Sequence, residues 1–268
     1  PILLLEGFFS TQELALFEQY RLSAVIHHTE QIAMLLAAKY PQLNLFLKIN
    51  TGMNRLGLPP ERISTIINQL QENHYQKNIT LMTHFASADD RAQHDSVIQQ
   101  IERFQQAAHP HAHLRSLANS AALIRYPQSH ADWVRPGIML YGASPFSDQT
   151  ATDLDLRPVM TLASKIIAIH ELKAGDKVGY HGLFQAERPM RIGVVACGYA
   201  DGYPRHAPTN TPVLVNDQLS RLLGRVSMDM LTVDLTGIQD VQINSPVILW
   251  GEEISVDAVA QRAGTTSY

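Results

Sequence analysis

LFLKINTGMNRLGLPPERISTIINQLQE, residues 45–72, is the stretch from which the fold is read. Leu45–Asn50 has the character of a strand, with Lys48 near its end. A glycine-containing turn leads to Arg55, and Pro59-Pro60-Glu61 is a helix-start signature that opens a helical pattern over Pro60–Glu72. Strand, turn and helix in succession make a βα unit, and the first half of the chain repeats it. Further strands are expected at Ile2–Leu5, Ser23–His27, Ile79–Phe85, Leu114–Leu117 and Gly137–Tyr141. Further helices are expected at Thr11–Tyr20, Thr29–Lys39, Ala92–Ala108 and Ser120–Ile124, with Ser10 and Thr29 as N-caps. Such alternation builds a parallel sheet, either doubly wound or closed into a barrel. Six strands are visible where the usual barrel has eight, so the expected fold is α/β, with six of the eight units of a (β/α)8-type barrel.

The pattern changes after residue 143. Residues 144–157, SPFSDQTATDLDLR, are polar and rich in turn formers, and read as a linker. Beyond it, Val159–His170, Arg191–Cys197, Val213–Val215, Leu231–Leu235 and Pro246–Trp250 read as strands separated by turns such as Lys173-Ala-Gly-Asp176. The expected domains are therefore 1–143, a partial α/β barrel that binds a cofactor, and 158–268, a β-rich C-terminal domain. The chain opens on PILLLEG with no initiator methionine and stops at Tyr268 after GTTS, which suggests a segment of a longer protein.

Composition narrows the function classes. The 268 residues are 45% hydrophobic and 17% charged, an ordinary globular balance. A formal net charge of −4 carries no basic excess, which argues against nucleic acid as the partner. The single cysteine, Cys197, permits no internal disulfide and suits a reducing, cytoplasmic compartment. No apolar run is long enough to span a membrane, and no signal peptide is expected.

Candidate chemistry gathers at the ends of the barrel strands, where such folds place their catalytic residues. Taken alone, Lys48 is compatible with a cofactor-bearing lysine or with a lysine snorkelling out of the barrel. His84, in LMTHFASADD (81–90), is compatible with acid–base, ligand or ring-stacking roles, or with a purely structural one. Asp89 and Asp90 are expected to begin the next helix. Asn119 and Ser120, in SLANSAAL (116–123), suit either a helix cap or an anion site, and Pro136-Gly137-Ile138 offers backbone amides at a tight turn. Both lie in the last two visible strands, where this fold commonly binds phosphate. HPHAH, 109–113, has three alternating histidines but no completing carboxylate or cysteine nearby, so no metal site is expected. Arg135, inside the apolar run WVRPGIML, needs a specific partner because a guanidinium cannot lose its proton to escape burial.

LKINTGMNRLG, THFASADD, ANSAA, VRPGIMLYG, VGYHG, GYADGYPR and GRVSMD follow one another across essentially the whole chain. In that order they resemble bacterial alanine racemase, a fold-type III enzyme dependent on pyridoxal 5′-phosphate. The resemblance implies an isomerase that interconverts L- and D-alanine by two-base proton transfer and supplies D-alanine for cell-wall peptidoglycan. It implies a homodimer with shared active sites. Arg55 would lie near the cofactor hydroxyl and the substrate carboxylate, and Lys48 would be a lysine that is often carbamylated and so holds Arg55. His84 would pack by the pyridine ring, and Ser120, Gly137, Ile138 and Tyr268 would clamp the phosphate. Arg135 would face the pyridine nitrogen; the alternative is a pair with a carboxylate such as Asp132. Tyr180, from the neighbouring subunit, would be the catalytic base. The Met228 backbone would bind the substrate carboxylate, with Asp229 and Tyr199 in support. Ser116 stands where some relatives have a histidine.

One departure is plain. The family's cofactor-bearing lysine lies in a motif like K-A-N-A-Y-G, and none of Lys39, Lys48, Lys77, Lys165, Lys173 and Lys177 has that context. The expectation is a segment that lacks the N-terminal lysine region and the extreme C-terminus, and is inactive alone. Two other enzymes share the features read so far. A fold-type III decarboxylase would want a glycine-rich phosphate loop and a catalytic cysteine, whereas Cys197 sits in an apolar strand. A broad-specificity racemase differs only in pocket width. A non-catalytic carrier of the same cofactor would lack the β-rich domain.

Overall fold

A computed structural model describes residues 2–75 and 79–268. It comprises two compact units, one ending at Gly137 and the other running from Ile138 to Tyr268.

In the first unit, β1 (Ile2–Leu4), α1 (Thr11–Gln19), β2 (Leu22–Ile26), α2 (Thr29–Ala38), β3 (Leu45–Lys48), α3 (Ile63–Glu72), β4 (Ile79–Met82), α4 (His94–Ala108), β5 (Leu114–Ser116) and α5 (Ser120–Arg125) follow in order. The five strands form one parallel sheet whose spatial order equals the chain order. Ala24 lies opposite Leu45, Leu45 opposite Ile79, and Thr80 opposite Leu114. Each crossover thus steps to the next strand, as in a barrel, whereas a doubly wound sheet reverses direction partway. Every residue of β4 is buried, as expected of a parallel strand covered on both faces. α3 buries Ile63, Ile66, Ile67 and Leu70, one stripe at helical spacing. Each such side chain contributes about 1.5–3 kcal/mol.

Local signals mostly act where they stand. Ser10 caps α1 by accepting the Glu13 N–H, and Asp90 accepts the Ala92 N–H ahead of α4. The α2 cap is one residue earlier than expected: His28 Nδ1 accepts the Glu30 N–H, so Thr29 is already helical. The expected sixth strand, Gly137–Tyr141, is corrected by the structure to a 3-10 turn over Ile138–Tyr141. The preceding residues take the strand-like path instead. Trp133 bridges to Ser116 in parallel fashion, and the Arg135 N–H donates to the Ala118 carbonyl at 2.9 Å.

The second unit contains β6 (Leu162–Leu172), β7 (Lys177–Val178), β8 (Phe184–Gln185), β9 (Met190–Val195), β10 (Pro212–Val215), β11 (Gln218–Leu223), β12 (Leu231–Asp234), β13 (Pro246–Trp250) and α6 (Val256–Ala263). Six of these strands close an antiparallel barrel in the order β10-β11-β12-β9-β6-β13, while β7 and β8 pair as a ribbon. Ile166, Val195, Val213, Leu222, Val233 and Val247 form part of its core. β11 was not expected from the sequence. It forms because Asn216 and Asp217 both take positive φ, 48° and 59°, and turn β10 back on itself. Between residues 144 and 157, the Ser144 and Ala151 N–H groups donate to the Asp257 carboxylate on α6. Among the described residues, no helix is long and apolar enough to cross a membrane.

Candidate active site

The carboxyl ends of β3, β4 and β5 bring the predicted residues of the first unit together. Lys48 is the last residue of β3, His84 follows β4, and Ser116 ends β5. Arg135 comes from the segment that runs beside β5. Its Nη1 donates to Ser116 Oγ at 2.6 Å, and its Nη2 donates to the Thr83 carbonyl at 2.6 Å and the Leu117 carbonyl at 3.2 Å. Ser116 Oγ in turn donates to the Trp133 carbonyl at 3.1 Å. All these acceptors are neutral. The alternative of an Asp132 partner is not what the fold builds, because that carboxylate accepts the Arg115 N–H at 2.8 Å. A guanidinium has five N–H donors. Among the described residues, Nε–H and one Nη1–H are left to donate elsewhere.

The electrostatics of this cleft are one-sided. Burial pushes Arg135 down to about 10, which still leaves it a cation at neutral pH. Burial, and then the charges of Arg55 and Arg135, lower Lys48 from the ordinary lysine value; Glu6 alone opposes them. The Lys48 side chain is buried, and its ammonium has no hydrogen-bond partner among the described residues. His84 is pushed down to about 4 by burial and then by Arg135, Lys48 and Arg55. It is therefore neutral near pH 7, which suits ring packing and does not suit a general acid. Lys77 lies outside the described residues.

The 50–57 loop that carries Arg55 is pinched shut. Leu58 N–H donates to the Lys48 carbonyl at 2.7 Å, and Asn50 N–H donates to the Leu58 carbonyl at 2.9 Å. The Asn50 side chain accepts the N–H groups of Gly52 and Asn54 inside the loop. Arg55 itself is exposed. At the other edge, Asn119 caps α5 by accepting the Ala122 N–H, which leaves Ser120 for another task. Ser120 is buried, and its Oγ accepts the Gly137 N–H at 2.7 Å. Its own O–H has no acceptor among the described residues, so it can donate to an anion. Ile138 opens the following 3-10 turn.

The second unit holds the remaining predicted residues. Tyr180 is exposed in a turn flanked by left-handed Gly179 and His181. Tyr199 and Met228 are brought together by backbone pairing. Tyr199 N–H donates to the Ser227 carbonyl at 3.0 Å, and Ala200 N–H to the Met228 carbonyl at 2.9 Å. Arg205 lies over the Tyr199 ring, 5.6 Å from its centre. Asp229 is exposed. Tyr268 is also exposed, beside Ser267, whose hydroxyl donates to Asp257 at 2.6 Å. Of the three histidines at 109–113, His111 contacts Ser64 Oγ at 3.0 Å and stacks on His113. Among the described residues, no group of three or more His, Cys, Asp or Glu could hold a metal.

Comparison with known proteins meets this arrangement at both ends of the chain. The family model for the alanine racemase N-terminal domain matches residues 1–145, and that for the C-terminal domain matches residues 159–268. The chain belongs to the alanine racemase family. It is 58% identical to the alanine racemase of Nitrosomonas eutropha, over all of this chain and 75% of that protein. The crystal structure of the biosynthetic alanine racemase from Pseudomonas aeruginosa superposes with a TM-score of 0.94 at 47% identity, over all of this chain and 75% of that one. The alanine racemase of Bartonella henselae, solved with covalently bound pyridoxal phosphate, is 26% identical with a TM-score of 0.84, over 99% of this chain and 74% of that one. One expectation is corrected here. The alanine racemase N-terminal domain model matches from residue 1. The chain therefore carries that domain, and the reading of a segment lacking the family's N-terminal region is withdrawn.

The residues that the sequence reading missed are Thr51, Thr83 and Gln100, all buried and hydrogen-bonded behind the cleft. Threonine is common in strands, and glutamine on a helix reads as surface. The one available signal was Gln100 falling in register with Val97, Ile101 and Phe104.

Proposed function

We propose that this chain catalyses the pyridoxal-phosphate-dependent interconversion of L- and D-alanine in the cytoplasm, which supplies D-alanine for cell-wall peptidoglycan. The observation that carries the reading is the Arg135 cradle: a buried cation held only by neutral oxygens, with N–H groups left over. That donor set fits a ring nitrogen that accepts a hydrogen bond. Ser120 Oγ–H and the amides of Gly137 and Ile138, with Tyr268, would hold the phosphate, and neutral His84 would lie against the ring. When bound, pyridoxal phosphate supplies an electron sink that acidifies the α-proton of alanine.

The chain's own residues supply the binding groups and one of the two bases. Arg135 remains protonated and disfavours a second positive charge on the ring nitrogen, which limits the sink and suits return of the proton to the α-carbon. Arg55 and the Met228 backbone would hold the substrate carboxylate, supported by Asp229 and Tyr199. Tyr180 of a second subunit would take or give the α-proton on one face, while inversion needs a second group to give or take it on the other, the part that the family resemblance assigns to its cofactor-bearing lysine. Burial and the neighbouring cations lower Lys48 from the ordinary lysine value, which favours its amine form more than in an exposed lysine. Its nitrogen would add to carbon dioxide and release one proton, and the resulting carbamate anion would pair with Arg55.

The test uses the purified holoenzyme. L-alanine in deuterated water should become D-alanine labelled at the α-carbon, and a panel of other L-amino acids should turn over poorly. Release of carbon dioxide without racemisation would move the reading to a decarboxylase. Labelled bicarbonate should give a carbamate carbon signal that Lys48→Ala abolishes, and a signal unchanged by that substitution would remove Lys48 from this role. Shared sites predict complementation: Tyr180→Phe and Arg55→Ala subunits, each weak alone, should regain activity when reassembled together. No regain, in a mixture shown to exchange subunits, would place the whole site in one chain.

A further inference from the structure

Three polar side chains of the first unit are buried where apolar ones would be expected: Thr51, Thr83 and Gln100. Gln100 stands on the buried face of α4 among Val97, Ile101 and Phe104. An amide left unbonded there is costly, so its partners matter. Gln100 Nε2 donates to Thr51 Oγ1 at 3.2 Å, and its Oε1 accepts the Ala86 N–H at 3.1 Å. The Thr51 and Thr83 hydroxyls are 2.7 Å apart, and Thr83 Oγ1 donates to the Ile49 carbonyl at 2.9 Å.

Proton counting gives the chain a direction. A hydroxyl has one proton to donate. That of Thr83 is committed to Ile49, so Thr51 must donate to Thr83, and Thr51 must accept from the Gln100 amide. The order is Gln100 to Thr51 to Thr83 to the Ile49 carbonyl, with no branch. Arg103 Nη1 adds a bond to the Thr51 carbonyl at 3.2 Å. Gly52 lies so close that a Cβ there would come within 3.3 Å of Gln100 Cγ.

Both ends of this chain lead to the cleft. Thr51 begins the loop that presents Arg55. The Thr83 carbonyl accepts Arg135 at 2.6 Å, and Thr83 immediately precedes His84. Gln100 also holds Ala86, two residues beyond His84. One buried side chain of α4 therefore ties the loop after β3 to the loop after β4.

We propose that the Gln100–Thr51–Thr83 chain is a positioning device that fixes the Arg55 loop and the Arg135 cradle relative to each other. It rests on the functional reading of those two arginines. None of its three members is expected to touch the substrate or cofactor. They act through the backbone they hold, and misplacement on the order of 1 Å costs about a hundredfold in rate.

The test compares Thr83→Val, Thr83→Ser and Gln100→Leu in the holoenzyme with the parent. Valine keeps the shape of threonine and removes the donor, serine keeps the donor, and leucine suits the apolar face of α4. Two readouts are taken: hydrogen exchange of residues 50–58 and 83–90, and kcat and KM for alanine. With valine or leucine, exchange in both segments should rise about tenfold or more, and kcat/KM should fall about tenfold to a hundredfold. Serine should restore both. Should the valine variant fail to fold, Gln100→Leu alone still reads the coupling, because it must loosen both loops from a helix that neither contains. Exchange and kinetics within about twofold of the parent in the leucine variant would overturn the proposal, as would serine behaving like valine. A parent that does not racemise alanine would sink the functional reading, and the exchange rates would still decide the coupling.

Discussion

His84 is a side chain whose charge the fold resists. Its value of about 4, set by burial and then by Arg135, Lys48 and Arg55, lies well below the ordinary histidine value. In the unfolded chain it takes up a proton near pH ~6.5. Below that pH the unfolded state binds a proton that the folded state refuses, so stability falls with pH. The contribution is intact above about 6.5 and erodes as pH falls through the window down to about 4, by up to roughly 3 kcal/mol. Denaturant midpoints measured between pH 7 and 4.5 should show this slope, and His84→Phe should flatten it. An equal slope in the variant would assign the acid sensitivity to other groups. At this scale the sequence was legible where a residue stood at a strand end. Lys48 and His84 could be placed from the βα rhythm, because the fold delivers strand ends to one rim; Arg135 could not, because the strand expected there, Gly137–Tyr141, begins after it. Their hydrogen-bonding backdrop could not. Thr51, Thr83 and Gln100 meet only in three dimensions, and no spacing in the chain announces them.

Among the elements, the 50–57 loop shows how a turn can be both local and functional. Gly57 has φ +136°, and a Cβ there would lie 2.7 Å from the Asn50 nitrogen. The neighbour is backbone, which cannot step aside. Gly57→Ala should therefore open the pinch between Leu58 and Lys48 at a cost of about 1–3 kcal/mol. Arg55 would lose its fixed presentation, so KM for alanine should rise about tenfold while the thermal midpoint falls. A lower midpoint with unchanged KM would show that the loop is only a scaffold. Element types were largely readable from period, since α3 and the buried strands differ sharply in their repeat. Of the misjudged places, which include the β7–β8 ribbon, two have plain physical causes. Ile138–Tyr141 is as apolar as a strand, but Arg135 and Trp133 already occupy the position beside β5. β11 hid because Leu219 and its neighbours alternate weakly, although the Asn216-Asp217 pair was an available hairpin sign.

Over the whole molecule, the two units solve the strand-edge problem differently. In the second, six strands return to their starting point, and every one has partners on both sides. Among the described residues the parallel sheet of the first unit does not close: β1 pairs only with β2, and beyond β5 only the Trp133 bridge to Ser116 continues it. Ile2 and Leu4 on β1, and Leu114 on β5, are solvent-exposed apolar residues. Unpaired, apolar strand edges template addition of further chains. The two units should therefore differ in how they fail. Heat or storage should assemble this chain through residues 2–4, while the closed barrel remains a bystander. Limited proteolysis of the resulting aggregates should leave the first unit's strands protected. A lysine at position 2, by Ile2→Lys, should delay assembly without changing the thermal midpoint of the second unit. Aggregates whose protected core maps instead to residues 162–250 would show that closure confers no such immunity.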